Sequence, residues 1–287
     1  MSMNPTRAVR PWLAAPALLA LALLAGCRRE APAPAPEPAA PQAQAGAEAA
    51  PGDAPGTAAT PLVLEDVIET DPRYVVGISY PPGIDAEPGL ARALHGYAEA
   101  ARAELLQAVA GLDGNPTAPY ELSLGFRQLL RTADVVAVAA DGSLYTGGAH
   151  GQPLVARFVW LPRQQRMLTA ESLLASREGW EPVAAYIGEQ LGTAAHIRAS
   201  DEALAPEERA NLLAMALKTI DQGTEPKPEN FAQFEPVPAA DGRIGALRFV
   251  FPPYQVGPYA DGVQTVEVPA SVLKPYLADD VRGLFVD

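Results

Sequence analysis

The chain has 287 residues, with 34 acidic against 21 basic side chains and a net charge of −13 at neutral pH. Such a balance argues against nucleic acid or anionic lipid headgroups as the partner; it suits either a basic partner or simply a solvated acidic surface. One cysteine excludes an intramolecular disulfide framework, and three histidines far apart in sequence offer no zinc-ligand spacing.

The first 26 residues read as a signal peptide. Arg7 and Arg10 form a basic start, and residues 13–25 form a Leu/Ala run interrupted by Pro16. At roughly a dozen residues this run is well short of the ~20 that span a bilayer as a helix. It ends in Leu24-Ala25-Gly26-Cys27, which is similar to a bacterial lipobox and predicts lipidation (palmitate included) of Cys27. Arg28 follows, which by the aspartate-at-plus-two retention rule favours the outer membrane, with the chain facing the periplasm. Removing residues 1–26 takes away Arg7 and Arg10, leaving 19 basic against 34 acidic residues, a net of −15. Residues 27–60 are mostly Ala, Pro, Gln, Gly and Glu and have no face to bury, which predicts a disordered tether.

The folded part is expected from residue 61 onward, as a strand–helix–strand section over 61–132 and a second α+β section over 133–287. Tyr74, Val76, Ile78 and Tyr80 alternate on one face of a strand that Pro81-Pro82-Gly83 ends. Leu90, Leu94, Tyr97, Ala101, Leu105 and Val109 recur at helical spacing and predict a helix over 89–110. Residues 121–127 form another alternating strand, residues 134–140 a further one, and Asp141-Gly142 carries turn chemistry. Leu154, Ala156, Phe158 and Trp160 share one face of the next strand. Helices follow over 171–174, 178–193 and from Pro206 to just before Gly223, the last with Leu213, Leu217 and Ile220 inward. Strands return over 231–237, 244–251 and 264–268, and a short helix over 271–276 follows them. The expected fold class is α+β, with helices packed on an antiparallel β-sheet.

Two constrained segments stand out. Tyr145-Thr146-Gly147-Gly148-Ala149-His150-Gly151 places a histidine among three glycines between two strands. Phe251 to Gly262 contains Pro252, Pro253 and Pro258, which forbid a central strand and present Tyr254 and Tyr259 on a stiff loop. Candidate ligand-binding residues are therefore Tyr145, His150, Tyr254, Tyr259 and Asp261. Each has a structural alternative. His150 serves either as a general base or as a ring tying down the glycine turn, the tyrosines as contact residues or loop braces, and Asp261 as a turn residue before Gly262. No Gly-x-Ser-x-Gly elbow, HExxH motif, P-loop or dinucleotide fingerprint occurs, so no catalytic set, metal or cofactor is expected.

The glycine-histidine motif, residues 168–174, and the Pro-Tyr…Pro-Tyr-Ala-Asp-Gly pattern together resemble the extracytoplasmic domain of RsiV/PdaC-type bacterial envelope proteins. That domain occurs in lysozyme-sensing anti-sigma factors and in peptidoglycan deacetylases, and residues 73–127 resemble the domain that precedes it there. No counterpart of the transmembrane helix, the sigma-binding segment or the deacetylase domain is read in this chain. The resemblance implies the recognition part alone: an envelope-anchored, non-enzymatic binding lipoprotein for cell-wall material or a wall-degrading enzyme such as lysozyme. The alternatives are a small hydrolase of peptidoglycan substituents using His150, and a structural lipoprotein contacting another envelope protein.

Overall fold

The structure, a computed structural model, describes residues 62–200 and 205–287. The predicted leader, the tether and Cys27 lie outside the described residues. The described part is α+β, built on two sheets rather than the expected one.

A hairpin opens the larger sheet. β1 (Val67–Asp71) turns back into β2 (Tyr74–Ser79), and the Arg73 amide donates to Asp71 Oδ1 at 2.9 Å across the turn. The sequence reading passed over β1, because its edge position leaves Ile68 85% exposed and so hides the usual alternation. Helix α1 (Pro88–Ala110) begins with proline at its first position, where a missing N–H costs nothing. It leads to β3 (Tyr120–Arg131), which pairs parallel to β2. This pair is the parallel exception in otherwise antiparallel sheets. Two parallel neighbours need a long crossover, and α1 is that crossover.

Strands β4 (Val136–Tyr145), β5 (Gln152–Leu161) and the short β6 (Arg166–Met167) complete the sheet in antiparallel order. Asp141 and Gly142 do not turn the chain. They lie inside β4, opposite Gly125 and Leu124 of β3. Glycine is needed at 142 for a packing reason, since a Cβ there would sit 2.0 Å from the Ser123 carbonyl oxygen. The real reversal comes after Tyr145, through residues 146–151.

Next come α2 (Ala170–Leu173), α3 (Trp180–Ala199) and α4 (Pro206–Gly223). A second, all-antiparallel sheet follows in the order β7 (Phe234–Pro238), β8 (Ile244–Phe251), β9 (Gln264–Pro269). The chain closes with α5 (Ala270–Leu273) and α6 (Asp279–Arg282). Phe231, expected to begin β7, belongs instead to a 3-10 turn over Pro228–Phe231. There its ring stacks on Trp180 at 4.8 Å and 3°, an alternative burial that outweighs strand pairing. Leu217 of α4, expected inward, is 37% exposed, because α4 buries only Ile220 and Gly223 fully.

Two cores result. One lies between α1 and the larger sheet, where Leu90, Leu94 and Leu105 meet Val76, Leu122 and Val138. The other joins Trp180, Val183 and Ile187 of α3 to Leu247, Phe249 and Phe251 of β8, with Ala137 and Val159 from the far face of the larger sheet. β4 and β5 thus form a wall shared by both cores. This is why Val136, Ala137, Val138, Ala139 and Ala140 are buried in succession, as in a strand covered on both faces.

Candidate binding surface at the strand ends

Both constrained segments sit at strand ends, one on each sheet, and the structure brings them into contact. The β4–β5 reversal needs its glycines, since Gly147 and Gly148 take φ of 101° and 91°, values open to glycine and strained for other residues. Tyr145 braces this turn by donating its hydroxyl to the Gly148 carbonyl at 3.4 Å. His150 then projects from an exposed position.

The β8–β9 loop is held from below. Val256 is buried, and Gln255 Nε2 donates to the carbonyl oxygens of Asn230 at 2.7 Å and Gly223 at 3.1 Å. Gly223 ends α4 with no room for a side chain, since a Cβ there would come 2.0 Å from the Gln255 carbonyl oxygen. The Tyr254 amide donates to the Gly257 carbonyl at 2.9 Å, closing a tight turn. Tyr254 itself has φ 74°, a left-handed conformation that costs an L-residue with a bulky side chain about 1–2 kcal/mol.

Three rings meet on this footing. His150 stacks on Tyr259 with centroids 4.0 Å apart and planes 17° apart, and Tyr254 lies 5.7 Å from Tyr259. His150 Nδ1 faces the Gly151 carbonyl oxygen at 3.1 Å, so the proton belongs on Nδ1. Nε2 is then an acceptor, and the Tyr254 hydroxyl donates to it at 3.1 Å. Tyr254 and Tyr259 remain 42% and 37% exposed, so the cluster is ordered by internal bonds yet offers its aromatic faces to solvent. Asp261, the last of the predicted residues, sits in a 3-10 turn and faces Arg198 of α3 at 3.6 Å.

Residues 181–271 match the family model described as protein of unknown function, DUF3298. The match spans α3 to the start of α5, and so includes Tyr254, Tyr259 and Asp261 but not Tyr145 or His150. A crystal structure of a DUF3298 family protein from Pseudomonas aeruginosa PAO1 is similar at 18% identity, covering 79% of this chain and 98% of that one, with a TM-score of 0.48. Another, from Bacteroides fragilis NCTC 9343, is similar at 14% identity, covering 76% and 93%, with a TM-score of 0.46. No curated protein matches this chain. No helix among the described residues is long and apolar enough to cross a membrane.

A charged ladder between the two sheets carries no local signature in the sequence. Arg157 of β5, its side chain only 8% exposed, donates from Nε to Glu235 Oε2 at 3.0 Å and from Nη1 to Asp141 Oδ1 at 2.9 Å. Arg248 of β8 donates to the other Glu235 oxygen at 2.8 Å and also pairs with Glu267 of β9. Those two carboxylates raise the pKa of Arg248. The Gln233 side chain adds a bond to the Arg157 amide at 2.7 Å, capping the outer edge of β5. The ladder links β4 and β5 of the larger sheet to β7, β8 and β9 of the smaller one. The sequence shows only a lone charge inside each of three apolar strands, which buried strands tolerate only when paired.

Proposed function

We propose that this chain is a binding module that meets its ligand through the exposed His150–Tyr254–Tyr259 cluster. The observation that carries the reading is the cluster itself: three rings from loops on two sheets, His150 stacked on Tyr259 and hydrogen-bonded to Tyr254, exposed to solvent on constrained mounts, with Tyr254 in a left-handed conformation. Preorganised tyrosines give large contact area at low entropic cost, which suits the face of a sugar ring or a partner protein. The hydrolase alternative has less support, because both ring nitrogens of His150 are engaged by Gly151 and Tyr254. A general base must reach the proton it removes.

The ligand we propose is cell-wall material or a wall-degrading enzyme such as lysozyme, met from a lipid anchor at Cys27 on the periplasmic side of the outer membrane. The resemblance to RsiV/PdaC-type domains motivates this choice, and the acidic charge of the chain suits a basic enzyme. Calorimetric titration with lysozyme and with soluble muropeptides tests it. Binding of one of them is expected, with Tyr254→Ala or Tyr259→Ala costing on the order of 2 kcal/mol, roughly thirtyfold, in folded variants. No heat with either ligand, together with release of acetate from peptidoglycan that His150→Ala abolishes, would overturn the reading in favour of a hydrolase.

A further inference from the structure

A second concave surface lies behind the tyrosine loop and is not part of the aromatic cluster. It is a groove of about 460 Å³ between α3 and β9, within the size range of ligand sites. One wall is four consecutive residues of β9, Gln264, Thr265, Val266 and Glu267. The other is one face of α3, with Gln190, Leu191, Ala194 and Arg198.

A wall made of consecutive strand residues means that the backbone edge, and not only one face of the strand, looks into the groove. β9 is the outermost strand of its sheet, paired with β8 on one side only. Among the described residues, no backbone hydrogen bond joins residues 264–268 to any segment outside the sheet. The edge therefore presents N–H and C=O groups in strand geometry, the template on which an added strand pairs. The two walls also match in length: three strand steps span ~10 Å, and eight helical steps from Gln190 to Arg198 span ~12 Å.

Charge gives the groove a direction. Arg198 stands at the Gln264 end, where its guanidinium faces Asp261 at 3.6 Å and keeps further N–H donors. Glu267, at the opposite end, gives its carboxylate to Arg248 on the other face of the sheet, so the charge in the groove is that of Arg198. Leu191 and Val266, both buried, form the floor beside Ala194. A strand added antiparallel to β9 ends at the Gln264 side, so its C-terminal carboxylate arrives at Arg198.

We infer that this groove takes the extended C-terminal tail of a partner protein, added as a fourth strand antiparallel to β9, with its terminal carboxylate on Arg198. The groove adjoins the tyrosine loop through the Arg198–Asp261 pair, but none of the three rings lines it, so the two proposals are read by different signals: the amides of residues 264–268 here and the ring substitutions there.

The test uses the ¹⁵N-labelled full chain and an equimolar random hexapeptide mixture, prepared once with free C-termini and once as C-terminal amides. With the free acids, saturable shifts of the backbone amides of residues 264–268 and of the Arg198 Nε–H are expected. The amidated mixture should bind about tenfold or more weaker, since a hydrogen-bonded charge is lost. Arg198→Gln should make acids and amides equal, and Ala194→Trp, which fills the groove, should abolish the shifts while far-ultraviolet circular dichroism stays unchanged. Equal binding of acids and amides to the unmodified chain, or shifts absent from residues 264–268, would overturn the inference. So would shifts there with soluble muropeptides but with neither peptide mixture, which would assign the groove to wall stem peptides.

Discussion

Replacing Glu235 by alanine tests the contribution of the buried charge ladder that links the two sheets. Its carboxylate, 11% exposed, receives Arg157 at 3.0 Å on one oxygen and Arg248 at 2.8 Å on the other. Removing one partner of a buried pair costs about 3–5 kcal/mol, because the remaining charge is left in a poor solvent. Arg157 keeps Asp141 at 2.9 Å and the Ala156 carbonyl at 2.9 Å, and Arg248 keeps Glu267, so the lower end, about 3 kcal/mol, is expected. Urea unfolding of the full chain, followed by tryptophan fluorescence, should show the midpoint falling with the slope unchanged. Added salt to 1 M should alter the loss only slightly, since screening acts mainly on exposed charges. The double substitution Arg157→Met/Glu235→Leu should recover most of the stability, because an apolar pair carries no stranded charge. A loss under about 1 kcal/mol, the range of exposed pairs, would refute the argument and place the coupling of the sheets in their apolar contacts.

Trp180→Ala, which empties the middle of the second core, should cost about 3–5 kcal/mol in the same assay. Gly223→Ala forces a methyl against the Gln255 carbonyl and should cost about 1–3 kcal/mol while moving the tyrosine loop, seen as changed ring shifts of His150 and Tyr254. Tyr254→Phe removes the hydroxyl that donates to His150 Nε2, so ¹⁵N spectra of the imidazole should show more of the Nε2–H tautomer; an unchanged tautomer ratio would remove the bond from the account. Asp287 bonds Lys274 and Arg243, which hold its carboxyl below the usual carboxylate range. A carboxylate depressed on folding contributes stability above its unfolded pKa and loses it as pH falls through the folded one. The protection factor of the Val286 amide, bonded to Ile244 at 3.0 Å, should therefore drop below about pH 4 and stay level between pH 5 and 8.

Elements that bury one face were legible in the residues alone. The alternation of Tyr74, Val76 and Ile78 and the helical spacing of Leu90, Leu94 and Leu105 report a single partner surface, and both elements are present close to the expected bounds. The α+β class followed from the same patterns. The glycine and proline constraints likewise marked residues 145–151 as a sharp turn and 251–262 as a stiff loop, since positive φ and missing N–H groups are properties of those residues themselves. What needed the tertiary structure was everything set by a second partner. The Asp141-Gly142 pair has turn chemistry, yet β3 and β5 on either side hold it extended, and a close carbonyl rather than a bend demands the glycine. The parallel pairing of β2 with β3 is invisible in either strand, because the same alternation serves both directions. Arg157, Glu235 and Arg248 each look misplaced in an apolar strand, and only the packing of one sheet on the other turns three anomalies into a ladder. His150 and Tyr254 lie 104 positions apart, and no local rule joins them. Their contact depends on the register between the two sheets, which is a property of the folded chain and of no segment within it.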